Sequence, residues 1–268
     1  MENSFGQSAG ALCGGEILKF LRGALPPENL FFYGRTDSTN TRAERVFLEG
    51  APEKFAVVAA SQSEGRGRFE RKWEDSPGSS VCASVGFNLE GKSARGLERF
   101  GLLAGIEEAK ALREISGANL MVKWPNDIYF GSKKLSGMIA KAGSKNGKIS
   151  SLIFGIGVNV SKIRDGSPWA DLASASGGAI DINLVAAKVI DAALRAFERL
   201  ERGEDFDLPS EFAPFDFLKG RRLCVDNFAG KVSGVACGVD GDGSLILKKD
   251  DGNICLCFSG EASILKDF

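Results

Sequence analysis

Apolar residues along the chain fall into two regimes. As far as about residue 217 they form either continuous runs of strand length or stripes with helical spacing. Leu30-Phe31-Phe32-Tyr33, Phe55 to Ser61 and Val81 to Asn88 are β-prone runs that predict strands. Ala43, Val46 and Phe47 give one apolar face to a helix that Gly50 ends. Leu102, Ile106, Ala109, Leu112 and Ile115 recur at helical spacing within Gly96 to Gly117. Val185, Val189, Ala193, Ala196 and Leu200 form the stripe of a further helix, Asn183 to Arg202, with Gly203 as its stop. A short helix is expected in Ile17 to Leu25 ahead of Pro26-Pro27, whereas 161–182 read as loop and Leu208 to Phe217 as irregular.

The second regime starts at Gly220. Arg222 to Val225, Val232 to Val239, Ser244 to Leu247 and Ile254 to Phe258 are short alternating segments. Asp240-Gly241-Asp242-Gly243 and Asp250-Asp251-Gly252-Asn253 separate the later ones as hairpin turns. Strands spaced this closely predict a small SH3-like barrel. Asp240 to Gly243 lacks the rest of an EF-hand and reads as a turn. The expected organisation is an N-terminal extension over 1–30, a main domain over 31–218 and the barrel over 219–268.

The richest stretch is Val122 to Gly137, VKWPNDIYFGSKKLSG. Pro125 lacks an N–H and biases Trp124 away from helix, so the strand ending at Val122 should break there. Ile128-Tyr129-Phe130 is β-prone, Gly131-Ser132 turns the chain, and a third strand runs from Leu135 to Ala142. Asn126, Asp127, Lys133 and Lys134 thus sit at strand ends and turns, placed to converge on a ligand or to form a solvated hairpin.

Composition narrows the chemistry. A chain of 268 residues with 43% apolar residues can bury a sizeable core. A net charge of -1 argues against a dedicated nucleic-acid binder and gives no polybasic membrane signal. The chain has no histidine, so Ser-His-Asp triads and His-ligated metals are excluded. None of the six cysteines forms a C-x-x-C pair, which leaves zinc-site and thioredoxin readings without support. Cys82 and Cys224 read as small core residues, and Cys255 and Cys257 should share a strand face. No apolar run is long enough to span a bilayer and no signal peptide is apparent, so a cytoplasmic location is expected.

Three further segments carry candidate chemistry. Ser38-Thr39-Asn40 precedes a helix, where such residues usually serve as caps. Gln62 to Trp73 (QSEGRGRFERKW) follows a strand, but the third glycine of a dinucleotide fingerprint is absent and no helix follows. What remains is an arginine-studded loop: Arg66, Arg68 and Arg71 on glycine hinges suit bidentate capture of carboxylate or phosphate, or a solvated surface. In Ser150 to Val160, Gly155, Gly157 and Asn159 should share one strand face, admitting a flat ligand or another backbone, or marking a bulge. Trp73 and Trp124 are either core packing or ligand walls.

Taken together and in order, Ser38-Thr39-Asn40, Gln62 with Gly65-Arg66-Gly67-Arg68 and Trp73, Lys123-Trp124-Pro125-Asn126-Asp127, Lys134-Leu135-x-Gly137 and Gly155-Ile156-Gly157-Val158-Asn159 resemble the motifs of biotin protein ligases. The resemblance covers roughly 36–160, and the C-terminal strands fit it. It implies an α/β (α+β) fold: a mixed, mainly antiparallel sheet flanked by helices, of the class II synthetase-like biotin/lipoate ligase type, with the small barrel behind it. It also implies the monofunctional type, because little chain precedes residue 31 for a DNA-binding domain.

What the resemblance implies for function is ATP-dependent formation of biotinyl-5′-AMP and transfer of biotin to a lysine of a biotin carboxyl carrier protein domain. Lys134, Arg66, Arg68 and Asp127 would be catalytic. Ser38, Thr39, Asn40, Gln62, Arg66, Gly67, Arg68, Lys134 and Gly137 would hold biotin. Arg68, Arg71, Trp73, Lys123, Asn126, Lys134 and Asn159 would hold ATP and the adenylate. Mg²⁺ should accompany ATP, with its ligands unassigned; no nucleic acid or membrane partner is expected. A homodimer is an option, through an exposed sheet edge for which Ser150 to Val160 is the candidate. The loop at Gly65 to Trp73 would be disordered when empty and close over the adenylate. Two departures stand out: Phe69-Glu70 in the arginine loop and Lys141, where many members carry Glu. Lipoate ligation, octanoyl transfer and a non-catalytic biotin-adenylate sensor are the competing readings.

Overall fold

The computed structural model describes residues 11–265 apart from 22, 76, 162–166 and 229, with the backbone alone at Glu70. Residues 1–10 of the expected extension and 162–166 of the expected loop lie outside the described residues.

Seven strands form the main sheet: β1 (Leu30–Tyr33), β2 (Lys54–Ala59), β3 (Ser80–Asn88), β4 (Leu120–Lys123), β5 (Asp127–Phe130), β6 (Lys133–Lys145) and β7 (Lys148–Asn159). Their order is β1-β2-β3-β7-β6-β5-β4, parallel only between β1 and β2. The mixed, mainly antiparallel sheet is the predicted one. The strands β2, β3 and β7 read as continuous apolar runs because both faces are covered there.

Helices α1 (Gly14–Leu21), α3 (Leu97–Ser116) and α5 (Ile182–Glu201) pack together on one face, where Val58, Ala83, Val85, Phe154, Ile156 and Val158 meet them in the main core. The other face carries α2 (Thr39–Leu48) over a smaller cluster of Ala43, Val46, Phe55, Val57 and Ile153. Residues of alternate parity in each strand therefore serve different layers. The candidate site uses the α2 face.

Ser150 to Val160 is not an edge. It belongs to β7, which is paired with β3 on one side and β6 on the other. Its unbroken apolar character suits a central strand. The sheet edges are β1 and β4, and β4 is partly covered because Phe217 N–H donates to Val122 O at 3.0 Å. Strands β6 and β7 also outrun their predicted limits. Asn146 and Gly147 turn the chain at φ 53° and 75°, the positive pair that a two-residue hairpin needs.

The predicted irregular segment contains α6 (Leu208–Phe212), capped by Asp207, which accepts from Ser210 N–H at 3.2 Å. Another short helix, α4 (Leu172–Ser176), lies inside the predicted loop and is capped by Asp171 in the same way. Among the described residues ahead of β1, Leu12, Ile17, Leu21 and Leu25 are buried in the main core, and Cys13 N–H donates to Asn183 Oδ1 at 2.7 Å.

Beyond residue 220 come β8 (Arg222–Asn227), β9 (Gly230–Val239), β10 (Leu245–Lys248), β11 (Ile254–Cys257) and β12 (Glu261–Ile264). They form an antiparallel sheet ordered β11-β10-β9-β8-β12, and β11 and β12 are not paired with each other among the described residues. Its apolar face joins the main core through Leu223, Val225, Leu245 and Leu247. Trp124 is buried and its Nε1–H donates to Gly243 O at 3.0 Å, so this tryptophan is packing that ties the two sheets.

Candidate active site

One transverse row of the sheet explains the site. Strand register aligns Cys82, Gly157, Gly137, Asp127 and Lys123 across β3, β7, β6, β5 and β4. Cross-strand neighbours share a face, so three small residues form a floor and two charged ones a wall. The glycines make room for side chains of this chain. A Cβ on Gly157 would lie 2.4 Å from the Trp73 ring, one on Gly155 2.5 Å from Asn40 Oδ1, and one on Gly137 2.7 Å from Lys134 Nζ. Burial pushes the Cys82 thiol up to about 12, so it serves as neutral floor.

Two pockets meet above that row. The inner one is narrow, about 50 Å³, and is lined by Ser38, Thr39, Asn40, Gln62, Arg66, Gly67, Arg68, Lys134 and Gly137 among others. The outer one is about 510 Å³, with Arg68, Arg71, Trp73, Lys123, Asn126, Asp127, Lys134 and Asn159 on its walls. Arg68, Lys134, Trp73, Asn126 and Gly67 border both. The residues that the motifs assign to biotin and ATP thus gather around one composite cavity; Lys133 lies outside it, its Nζ donating to Ser167 O at 2.8 Å.

The inner pocket is organised by neutral hydrogen bonds. Ser38 stands at the head of α2 but its side chain makes no capping bond, against the cap reading, so the buried hydroxyl is directed to other uses. Gln62 Oε1 accepts from Thr39 N–H at 2.7 Å, which fixes the amide. Ser84, one strand behind, reaches Thr39 Oγ1 at 2.8 Å and Asn40 Oδ1 at 2.7 Å.

Gly65 to Trp73 forms a narrow hairpin. Trp73 N–H donates to Gly65 O at 2.9 Å and Gly67 N–H to Arg71 O at 2.7 Å. Gly65 has no room for a side chain, since a Cβ there would sit 2.7 Å from Trp73 O. At the tip, Phe69 adopts φ 55°, an uncommon conformation for a bulky residue, and is exposed.

The outer cavity is organised by ion pairs. Lys134 Nζ lies 2.7 Å from Asp127 Oδ1; that oxygen has no hydrogen-bond partner, so the contact is a charge pair without hydrogen-bond alignment. Arg68 Nη1 donates to Asn126 Oδ1 at 3.0 Å, and Asn126 Nδ2 donates in turn to Met138 O at 2.7 Å. Arg71 grips Glu261 with both guanidinium nitrogens, its Nη1 at 2.7 Å. Burial lowers the Arg68 guanidinium and the Lys123 ammonium from their ordinary values, while Asp127 and Glu261 pull each of them up. Arg71 holds Glu261 below the usual carboxylate range. Asn159 is also committed, donating to Ala170 O at 3.2 Å.

Several lining residues escaped the sequence reading. Tyr129, on the outer cavity wall, sits inside a predicted strand but carries no motif, and neither does Ser84, which supports Thr39 and Asn40 from behind the inner pocket. Trp169 follows 162–166 and stands beside Lys134 through a backbone bridge. Glu261 gave no signal at all, being 190 residues from its partner Arg71. Burial pushes Tyr129 up to about 12, so it is a neutral wall.

Comparison with known proteins accounts for this constellation. Residues 32–159 match the Biotin/lipoate A/B protein ligase family. The chain is 26% identical to the structure described as "Biotin protein ligase from Aquifex aeolicus in complex with biotin and ATP", with a TM-score of 0.76, covering 90% of this chain and 100% of that one. The chain belongs to the biotin protein ligase family. Among curated members, it is 28% identical to the "Bifunctional ligase/repressor BirA" of Bacillus subtilis over 91% of its own length and 76% of the relative's. It is 26% identical to the "Biotin--[acetyl-CoA-carboxylase] ligase" of Paracoccus denitrificans, spanning 80% of this chain and 92% of that ligase. No helix among the described residues is long and apolar enough to cross a membrane.

Proposed function

We propose that this ligase joins biotin to a lysine of a biotin carboxyl carrier protein domain at the expense of ATP, through biotinyl-5′-AMP. The observation that carries the reading is the pair Arg68 and Lys134, which borders a neutral polar pocket on one side and a cationic cavity on the other. Biotin is neutral at its ureido end and anionic at its carboxylate, and ATP is anionic throughout its phosphates. Ser38, Thr39, Asn40 and Gln62 supply donors and acceptors for the ureido ring, with Gly137 leaving room for the Lys134 ammonium beside it. Arg71, Lys123, Asn126 and Asn159 line the side for ATP, with Trp73 as a wall. The two anions then meet beside Arg66, Arg68 and Lys134, whose fixed charges offset the negative charge gathered in the transition state.

In the first step a carboxylate oxygen of biotin attacks the α-phosphorus, the bond to the β-phosphate oxygen breaks, and pyrophosphate leaves. In the second the carrier amine attacks the acyl carbon, AMP departs with the bonding pair, and the amine gives up a proton. Asp127 is the proposed acceptor or orienting group for that amine. Its pairing with Lys134 suggests the timing: as Lys134 turns to phosphate, the carboxylate is released. Magnesium would neutralise part of the polyphosphate charge. The carboxylates lining the outer cavity are Glu74, Asp127 and Glu261, with no cluster of three metal-binding groups among the described residues, which suits an ion held largely by phosphates and water.

The inner pocket has room for about two waters, so the bicyclic ring enters only as the Gly65 to Trp73 hairpin shifts. We assign 31–218 to catalysis and 219–268 to a C-terminal unit that contributes Glu261. Six unpaired cysteines favour a reducing, cytoplasmic setting. A homodimer formed at a sheet edge would use β1, the edge left once β4 is partly covered; native mass spectrometry tests it. The decisive assay for the function is transfer of labelled biotin to a carrier domain with and without ATP. Biotin-dependent pyrophosphate release is expected, with lipoate failing to replace biotin. Release independent of biotin would overturn the reading.

A further inference from the structure

A second polar device lies behind the site floor, on the other face of the sheet. Glu108 on α3 is buried in the main core, and Ser136 of β6 is fully buried beside it. Ser136 Oγ lies 2.5 Å from Glu108 Oε1 and 2.9 Å from Gly157 O. Gly157 and the residue after Ser136, Gly137, are the floor itself. A hydroxyl has one hydrogen to give. When Ser136 donates it to Gly157, the short contact to Glu108 needs a second proton, and a neutral carboxyl supplies it.

The surroundings agree. Glu108 Oε2 is buried without a hydrogen-bond partner, which a neutral acid tolerates far better than an anion. No cation approaches from the elements packed on α3. On α5, Lys188 is held by Glu114, and Arg195 and Arg199 by Glu107. Glu211 of α6 is held by Arg199, and α4 has no charged residue. On the strands, Lys123, Asp127 and Lys134 line the outer cavity, while Lys133, Lys141 and Lys145 engage Ser167 O, Glu44 and Glu90. Burial accordingly pushes the Glu108 carboxyl up to about 8.

We propose that Glu108 is a positioning residue: as a neutral acid it donates to Ser136, which holds the Gly157 carbonyl and so sets the Gly137–Gly157 floor under the ligand. Ionisation removes that donor and forces Ser136 to choose between the carboxylate and the carbonyl, so the floor loosens. The ligand part of the inference rests on the biotin reading; the floor part does not.

The sign of the linkage is fixed by the raised value. Stability is full below the unfolded carboxyl value of about 4.3 and is lost as pH rises through about 8 in the folded protein. The test compares wild type, Glu108→Gln and Ser136→Ala between about pH 6 and about pH 9.5. Three readouts are taken: the unfolding midpoint, the biotin dissociation constant, and Trp73 emission isolated by subtracting Trp73→Phe partners. In wild type the unfolding midpoint should fall with rising pH and level off above about 8, while biotin binding and Trp73 emission step there, with biotin bound about fivefold more weakly above the step, the ordinary worth of one hydrogen bond. Glu108→Gln, which keeps a neutral donor, should bind biotin like low-pH wild type and show none of these changes. Ser136→Ala should keep a stability fall but lose the steps in emission and binding. Identical profiles in wild type and Glu108→Gln, or a stability fall without a step in Trp73 emission, would overturn the proposal. If biotin binds at no pH while the other two changes appear and Glu108→Gln removes them, the brace stands and the biotin reading falls.

Discussion

The inner pocket and the outer cavity share a wall but are built on opposite principles. The inner one is held by neutral hydrogen bonds among neighbours on α2, β3 and the loop after β2, such as Gln62 to Thr39 and Ser84 to Asn40. Its neutral groups are held in place by one another. The outer one is held by charges that neutralise one another: Lys134 with Asp127, Arg71 with Glu261. A ligand entering there competes with existing partners. The first pocket is a mould, and the second is a set of exchangeable ion pairs that an anionic ligand must displace.

The largest effect should come from the residue that serves both regions. Lys134→Ala removes the ammonium from the proposed meeting point of the two anions. Loss of one preorganised donor of this kind lowers turnover by about 10²- to 10³-fold. Lys134→Arg should not restore it, because a planar fork does not occupy the position of a point charge. Biotin-dependent pyrophosphate release measures both. A loss smaller than tenfold in the alanine variant would show that the shared wall is not where the anions meet.

The inner mould should be the more sensitive to volume. Gly157→Ala places a methyl 2.4 Å from the Trp73 ring, and the indole must leave its seat. Overpacking of this kind costs roughly 1–3 kcal/mol, so biotin affinity should fall about tenfold or more. Adding Trp73→Ala should return part of it if steric displacement is the cause. Calorimetric titration with biotin reads the cycle, and strict additivity of the two losses would dismiss the mechanism.

This contrast also explains what was legible in the chain. Ser38 to Asn40, Gln62 to Trp73, Lys123 to Asp127 and Gly155 to Asn159 are contiguous, and each sits at a strand end or turn that local chemistry dictates, so both the elements and the lining residues could be read. Long apolar runs locate strands but not their order, since an unbroken run fits any strand covered on both faces, and the run of β7 is compatible with an edge or a centre. The β6–β7 turn is signalled only by Asn146-Gly147, the dipeptide that favours positive φ at both positions. β12 is a four-residue Glu-Ala-Ser-Ile segment with too little apolar content to stand out, and with it went Glu261. Whatever the outer cavity receives from the C-terminal sheet is set by tertiary packing, which no local window contains.

An intermediate effect is expected at that junction. Glu261→Gln should free Arg71 for phosphate and lower the KM for ATP a few-fold, whereas Arg71→Ala should raise it. Glu261 is held below the usual carboxylate range, chiefly by Arg71. The pair is therefore intact above the unfolded value of about 4.3 and is lost as pH falls through the depressed folded value. Across neutral pH the wild type should show no pH-dependent change in KM from this source. Opposite KM shifts in the two variants are the signature of exchange; equal shifts in the same direction would mean that the pair is only a strut.

The smallest effect should lie outside both regions, at Lys141, which reaches Glu44 of α2 at 2.6 Å across the same sheet face. Both side chains are largely solvated, at 60% and 41% exposure, so water screens the attraction and the long side chains lose entropy in making it. Lys141→Ala should therefore change stability by less than about 0.5 kcal/mol and leave biotin and ATP affinities untouched. Lys141→Glu sets two carboxylates against each other and should cost slightly more, with Glu44→Lys in the same chain restoring the loss. Chemical denaturation at low and high salt resolves the two cases, because the charge-reversed single variant should recover as salt is added. A large loss of ligand affinity from Lys141→Ala would mean that α2, and with it the head of the inner mould, is positioned by this surface pair rather than by the apolar cluster beneath it.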